Sequence, residues 1–167
     1  SCTLVFTVTA LASASAGTYT NTITPANFST NEGPDISNTT TANITVNAVS
    51  VIKAFAPTSI QVNGTSTLTI TLRNPTGLAY TGVNFTDTLP VGLSVAVSPA
   101  PINNCGGSLE DGSGNILASG DTEIELVGGT IPASATPPTN NTCTIIVPIT
   151  GVVSGSYPNS IPIGGLT

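Results

Sequence analysis

Between Thr67 and Arg73 the chain alternates without a break, with Leu68, Ile70 and Leu72 at one parity and Thr67, Thr69, Thr71 and Arg73 at the other. A strand turns successive side chains to opposite faces, so this segment predicts a half-buried antiparallel strand. The same period-two pattern predicts strands at Val51–Phe55, Val83–Leu89, Leu93–Val97, Glu123–Leu126, Thr142–Ile149 and Tyr157–Ile163. Upstream it predicts Thr3–Thr9, Thr18–Thr24 and Thr41–Asn47. Turns are expected at Asn63-Gly64, Asn74–Gly77 and Pro90–Gly92, with loops at Asn27–Asn38 and through Ser113-Gly114. Short strands punctuated this often predict an all-β, antiparallel β-sandwich.

The pattern also repeats. Cys2-Thr-Leu-Val-Phe-Thr-Val and Gly17-Thr-Tyr-Thr-Asn-Thr-Ile-Thr return as Cys143-Thr-Ile-Ile-Val-Pro-Ile and Gly155-Ser-Tyr-Pro-Asn-Ser-Ile-Pro. The offset is roughly 140 residues, longer than solenoid periods and about one domain. Residues 1–48 are therefore expected to be the C-terminal part of a preceding repeat. Residues 49–167 are expected to be a nearly complete repeat that lacks its last strand, the counterpart of Asn43-Ile-Thr-Val. Both ends ask for neighbours, and identical or homologous repeats arranged head to tail would supply them.

Composition narrows the function. Thr, Ser, Asn, Gly and Pro are abundant, only 6% of residues are charged, and the net charge is −6 with Lys53 and Arg73 the sole basic residues. Such a surface repels phosphates, so a nucleic-acid partner is not expected. The apolar runs are too short for a membrane span. There is no His, no second lysine, no Trp and no Gly-x-Ser-x-Gly, which argues against an enzyme acting on outside substrates. No cofactor or metal is expected. Glu110-Asp-Gly-Ser-Gly-Asn carries alternating oxygens but lacks a full calcium loop, so a plain turn is favoured. Asp121, Glu123 and Glu125 share one strand face, which predicts a solvated or edge-protecting surface. Tyr80 is the only tyrosine in a loop-like setting.

Three cysteines remain. Cys105 precedes a long loop and Cys143 opens the next strand, so a bridge between them would close roughly 40 residues and stabilise by about 4 kcal/mol. Cys2 occupies the place of Cys143 in the first repeat, and its partner would lie outside the chain. That pairing implies an oxidising, extracellular compartment, whereas two isolated thiols would not.

A parity violation occurs three times. Lys53 shares a face with Val51 and Phe55, Asp87 with Val83, Phe85 and Leu89, and Asn159 with Tyr157, Ile161 and Ile163. Polar residues at apolar parity point at the core, where Lys and Asp are rare unless paired. One reaction suits the set. A desolvated, neutral Lys53 attacks the amide carbon of Asn159, while Asp87 polarises the carbonyl and moves the proton as ammonia leaves. Asn21 stands where Asn159 stands, so the preceding unit would repeat this isopeptide arrangement with a lysine not in this chain. The same parity admits a plainer outcome, in which Lys53 snorkels at an edge, Asp87 caps a turn and Asn159 bonds backbone.

Ser66-Thr-Leu-Thr-Ile-Thr-Leu-Arg-Asn-Pro, followed by Phe85-Thr-Asp-Thr-Leu-Pro-Val-Gly-Leu, resembles the Ig-like conserved repeat of large bacterial surface proteins. The likeness continues through Gly128-Gly-Thr-Ile-Pro to Tyr157-Pro-Asn-Ser-Ile-Pro. It implies tandem Ig-like sandwiches of secreted adhesins, stalks and fibres. The Lys53, Asp87, Asn159 order also resembles the isopeptide domains of Gram-positive adhesins and pilins. A structural repeat of an extracellular bacterial filament is the expected function. An adhesin module that binds a glycan or protein is the alternative.

Overall fold

The computed structural model describes residues 3–11, 15–27, 31, 38–135, 141–162 and 166. The chain divides into two compact units, Ser1–Ala48 and Val49–Thr167. Among the described residues there is no α-helix, and Pro25–Asn27 forms a single 3-10 turn.

In the first unit, β1 (Gly17–Ile23) pairs antiparallel with β2 (Thr40–Val46). Directly opposed residues share a face. Tyr19 opposes Ile44 and Asn21 opposes Ala42, giving one largely apolar face. Thr18 opposes Thr45 and Thr20 opposes Asn43 on the other, where their side chains hydrogen-bond at 3.1 and 2.8 Å. The strand expected at Thr3–Thr9 is not formed, and residues 3–11 make no ladder. The second unit gives the reason. The counterpart of that segment, Cys143–Ile149, draws its ladder from strands of the same unit's front half, and the described residues between 3 and 46 contain no equivalents of them. Most of the expected Asn27–Asn38 loop lies outside the described residues, as does Cys2.

The second unit is a β-sandwich. One sheet runs β3 (Ser50–Ala56), β4 (Thr65–Asn74), β10 (Asn141–Gly151), β6 (Leu93–Val95), with β7 (Ile102–Asn103) also on β10. The other runs β5 (Tyr80–Thr88), β9 (Glu123–Ile131), β8 (Ser108–Glu110). All pairings are antiparallel. The alternation of β4 emerges as expected: Leu68, Ile70 and Leu72 are fully buried. They pack with Ile124, Leu126, Ile145, Val147 and Ile149 in one core. Burying side chains of this size stabilises by roughly 1.5–3 kcal/mol each.

β9 runs on past its expected end at Leu126. Gly128 adopts φ 69°, and β5 accommodates the irregularity with register shifts between Thr81 and Phe85. A pair of glycines that suggests a break is here a bulge within one strand. β6 stops at Val95; Ala96 still donates to the Pro148 carbonyl at 2.8 Å, and Val97 beyond it is exposed.

Tyr157–Ile163 was expected as a strand and is not one. Residues 155–162 make no ladder, yet their exposure alternates, with Tyr157, Asn159 and Ile161 turned inward. Pro158 and Pro162 have no N–H to contribute, whereas their counterparts Thr20 and Thr24 in the first unit do. Ile163 lies outside the described residues. The Tyr157 hydroxyl donates to the Val153 carbonyl at 2.6 Å, and the Tyr19 hydroxyl donates to the Ser15 carbonyl at 2.8 Å. In both units the hydroxyl therefore reaches back to the carbonyl four residues upstream. Tyr157 also closes over Gly92, where a Cβ would lie 2.8 Å from the phenol oxygen and φ is 103°. Only glycine suits both the space and the backbone there.

Candidate functional site

Lys53 sits in the middle of β3, between Val51 and Phe55 on the strand's inward face. Asp87 is the last inward residue of β5, following Val83 and Phe85. Asn159 lies on the extended segment 155–162, held at one end by the Tyr157 corner. Three distant stretches of chain thus bring three polar groups into one core, as the parity of each had predicted.

Their contacts are close. Lys53 Nζ donates to Asp87 Oδ2 at 2.6 Å, and Asn159 Nδ2 donates to the same oxygen at 3.3 Å. The Asp87 side chain is fully buried, and that of Lys53 is 12% exposed. The snorkelling, turn-capping and backbone-bonding roles therefore give way to a mutual cluster. Burial holds the Lys53 ammonium below the usual lysine range, while the hydrogen bond to Asp87 and its charge act in the opposite sense. Asp87 Oδ1 and Asn159 Oδ1 are both buried and have no hydrogen-bond partner among the described residues. A buried unsatisfied acceptor costs about 1–3 kcal/mol.

The chemistry open to such a cluster is amide exchange. Within the 2.6 Å hydrogen bond a proton can pass from Nζ to the carboxylate, leaving a neutral amine beside a carboxamide.

The remaining candidates fall into place around it. Cys105 and Cys143 form a disulfide across 38 residues, and both are buried. A disulfide points to an oxidising, extracytoplasmic location. Asn21 lies on the apolar face of β1 but is exposed. The Asp111 loop is a turn: its Oδ1 accepts from the backbone N–H groups of Ser113 and Asn115 at 2.9 and 2.8 Å. Those bonds lower the Asp111 pKa, led by the side-chain and backbone bonds to Asn115. Among the described residues no three acidic, histidine or cysteine side chains gather as a metal site. Asp121 is not simply solvated, since its Oδ2 accepts from Ala118 N at 2.6 Å. Tyr80 begins β5 and does not sit in a loop.

One residue escaped the sequence reading. Asn74 is fully buried at the end of β4 and donates to the carbonyls of Leu78 and Pro132 at 2.7 and 3.0 Å. Its Oδ1 accepts from both the N–H and the hydroxyl of Thr76, each at 2.8 Å. It continues the parity of Leu68, Ile70 and Leu72, so the rule that exposed Lys53 applied to it as well.

Residues 50–167 match the family model described as Domain of unknown function (DUF7933). The chain belongs to that family. The DUF7933 region takes in the whole Lys53–Asp87–Asn159 cluster and the disulfide, and leaves β1 and β2 outside. Nothing among curated proteins or solved structures matches the chain.

Proposed function

We propose that the chain is a structural repeat of an extracellular bacterial surface fibre, built head to tail from Ig-like sandwiches and braced by a self-made isopeptide bond. The observation that carries this reading is the single buried oxygen, Asp87 Oδ2, shared by Lys53 and Asn159. Lys53 Nζ, as a neutral amine, attacks Asn159 Cγ and the new C–N bond forms. Asp87, which has taken the first amine proton, gives it to Nδ2 as it takes the second, the Cγ–Nδ2 bond breaks, and ammonia leaves with that second proton as ammonium. Asp87 returns to its starting state, so the reaction occurs once and needs no co-reactant. The Cys105–Cys143 bridge and the largely uncharged, Thr-rich sequence suit a protein working outside the cell.

Intact-mass measurement of the purified chain tests the bond. The expected result is the sequence mass less one ammonia, restored in full by Lys53→Ala or Asn159→Ala. A wild-type mass equal to the sequence mass overturns it. Immunogold labelling of producing cells tests the setting, with label expected along surface filaments and cytoplasmic label contrary to it.

An adhesin role has one observation in its favour. A cleft of about 590 Å³ opens at one end of the sandwich, lined by Phe55, Ile60, Val62, Leu93, Val153 and Tyr157. That volume falls in the range of small-molecule sites. Reproducible binding of the chain on a glycan array would favour this reading.

A further inference from the structure

The first unit exposes what its copy buries. Leu4, Phe6 and Val8 are 82%, 80% and 72% exposed, while their sequence counterparts Ile145, Val147 and Ile149 are 0%, 0% and 1% exposed. Tyr19 and Ile23 are nearly half exposed, while Tyr157 and Ile161 pack against the core. Asn21 lies open between them on the apolar face of a two-stranded hairpin, a structure that is marginal alone. The local geometry is nevertheless already set, because Tyr19 makes the same four-residue corner as Tyr157.

The second unit displays what covers such a face. Ile145, Val147 and Ile149 pair with β4 on one side, and Asn159 reaches Asp87 of β5. The occupant is thus the front half of a sandwich, a segment of the 49–131 type with an inward lysine on its first strand and an inward aspartate on its third. We propose that residues 3–11 with β1 and β2 form the back half of a second sandwich, completed by a front half of this kind from another repeat. Asn21 is then a second modification site, the amide acceptor for that repeat's lysine. The modification rests on the cross-link proposed for Lys53 and Asn159, whereas the docking does not. Its chemistry is the same: the amine displaces Nδ2 of Asn21, the incoming aspartate carries the proton, and ammonia leaves.

The test places an added copy of residues 49–142 directly ahead of residue 2 in the full chain. Amide hydrogen exchange across residues 3–23 should be fast in the native chain and slow at least tenfold in the extended one. Intact mass should fall by two ammonias in the extended protein and by one in its Asn21→Ala variant. Replacing only the added lysine by Ala should retain the slow exchange and lose one ammonia. Unchanged exchange in residues 3–23 would overturn the docking. Slow exchange with equal ammonia loss in the presence and absence of Asn21 would overturn Asn21 as an acceptor. If the unextended chain loses no ammonia, the Lys53–Asn159 bond fails, and the exchange measurement still decides the docking.

Discussion

Lys53 and Asn159, which are far apart in sequence, hydrogen-bond to one oxygen of Asp87 at 2.6 and 3.3 Å in the interior of a sandwich. The first strand and the last described segment of the second unit are thereby joined through a side chain that is itself fully buried. A hydrogen-bonded cluster holds such a junction at equilibrium. A covalent bond would hold it through local opening.

Asn159→Ala should lower the unfolding free energy by about 4.7 kcal/mol, the chain-entropy figure for a link closing about 100 residues. Chemical denaturation of the wild type and the variant measures this. Equal midpoints would remove the link as a source of stability. Asp87→Asn should leave all the ammonia in place and strand Lys53 without its counter-charge, a change that costs about 3–5 kcal/mol in buried pairs.

The lysine also gives a signature in pH. In Asn159→Ala the amine stays free, and burial depresses its pKa below the ordinary 10.5. Between the folded value and 10.5 the unfolded chain binds more protons, so stability should rise with pH across that window and level off above it. An amide does not titrate, so the wild type should lack this rise. Alkaline denaturation series on both proteins would separate the two behaviours.

Reduction of Cys105–Cys143 should destabilise the second unit by about 4 kcal/mol, given the 38-residue separation. The bridge anchors the start of β10 to the loop after β7. Denaturation with and without a strong thiol reductant, alongside Cys105→Ser/Cys143→Ser, measures the loss. Unchanged stability on full reduction would count against it.

Asn74→Ala should cost about 3 kcal/mol, since the Leu78 and Pro132 carbonyls and the Thr76 N–H lose buried partners together. Asn74→Asp should also be harmful, because it replaces an amide that donates to two carbonyls. Thermal unfolding of both variants reads the effect.

The sandwich was legible because β4, β5 and β10 each bury alternate residues, so period-two patterning carried straight into structure. The cluster was legible for the same reason, since Lys53, Asp87 and Asn159 each break an apolar parity. Pairing was much less so. Thr3–Thr9 and Tyr157–Ile163 have the composition of strands, but a ladder needs a neighbour, which neither segment specifies, and free N–H groups, which Pro158 and Pro162 withhold. β7 and β8 are two and three residues long, too short to establish a period.

Pro158 and Pro162 carry a last consequence. In an extended chain the backbone groups of residues 158, 160 and 162 turn to the same side, and of these only Ser160 offers an N–H. That margin can accept hydrogen bonds freely but scarcely donate them. A strand that approached this side would find little purchase there.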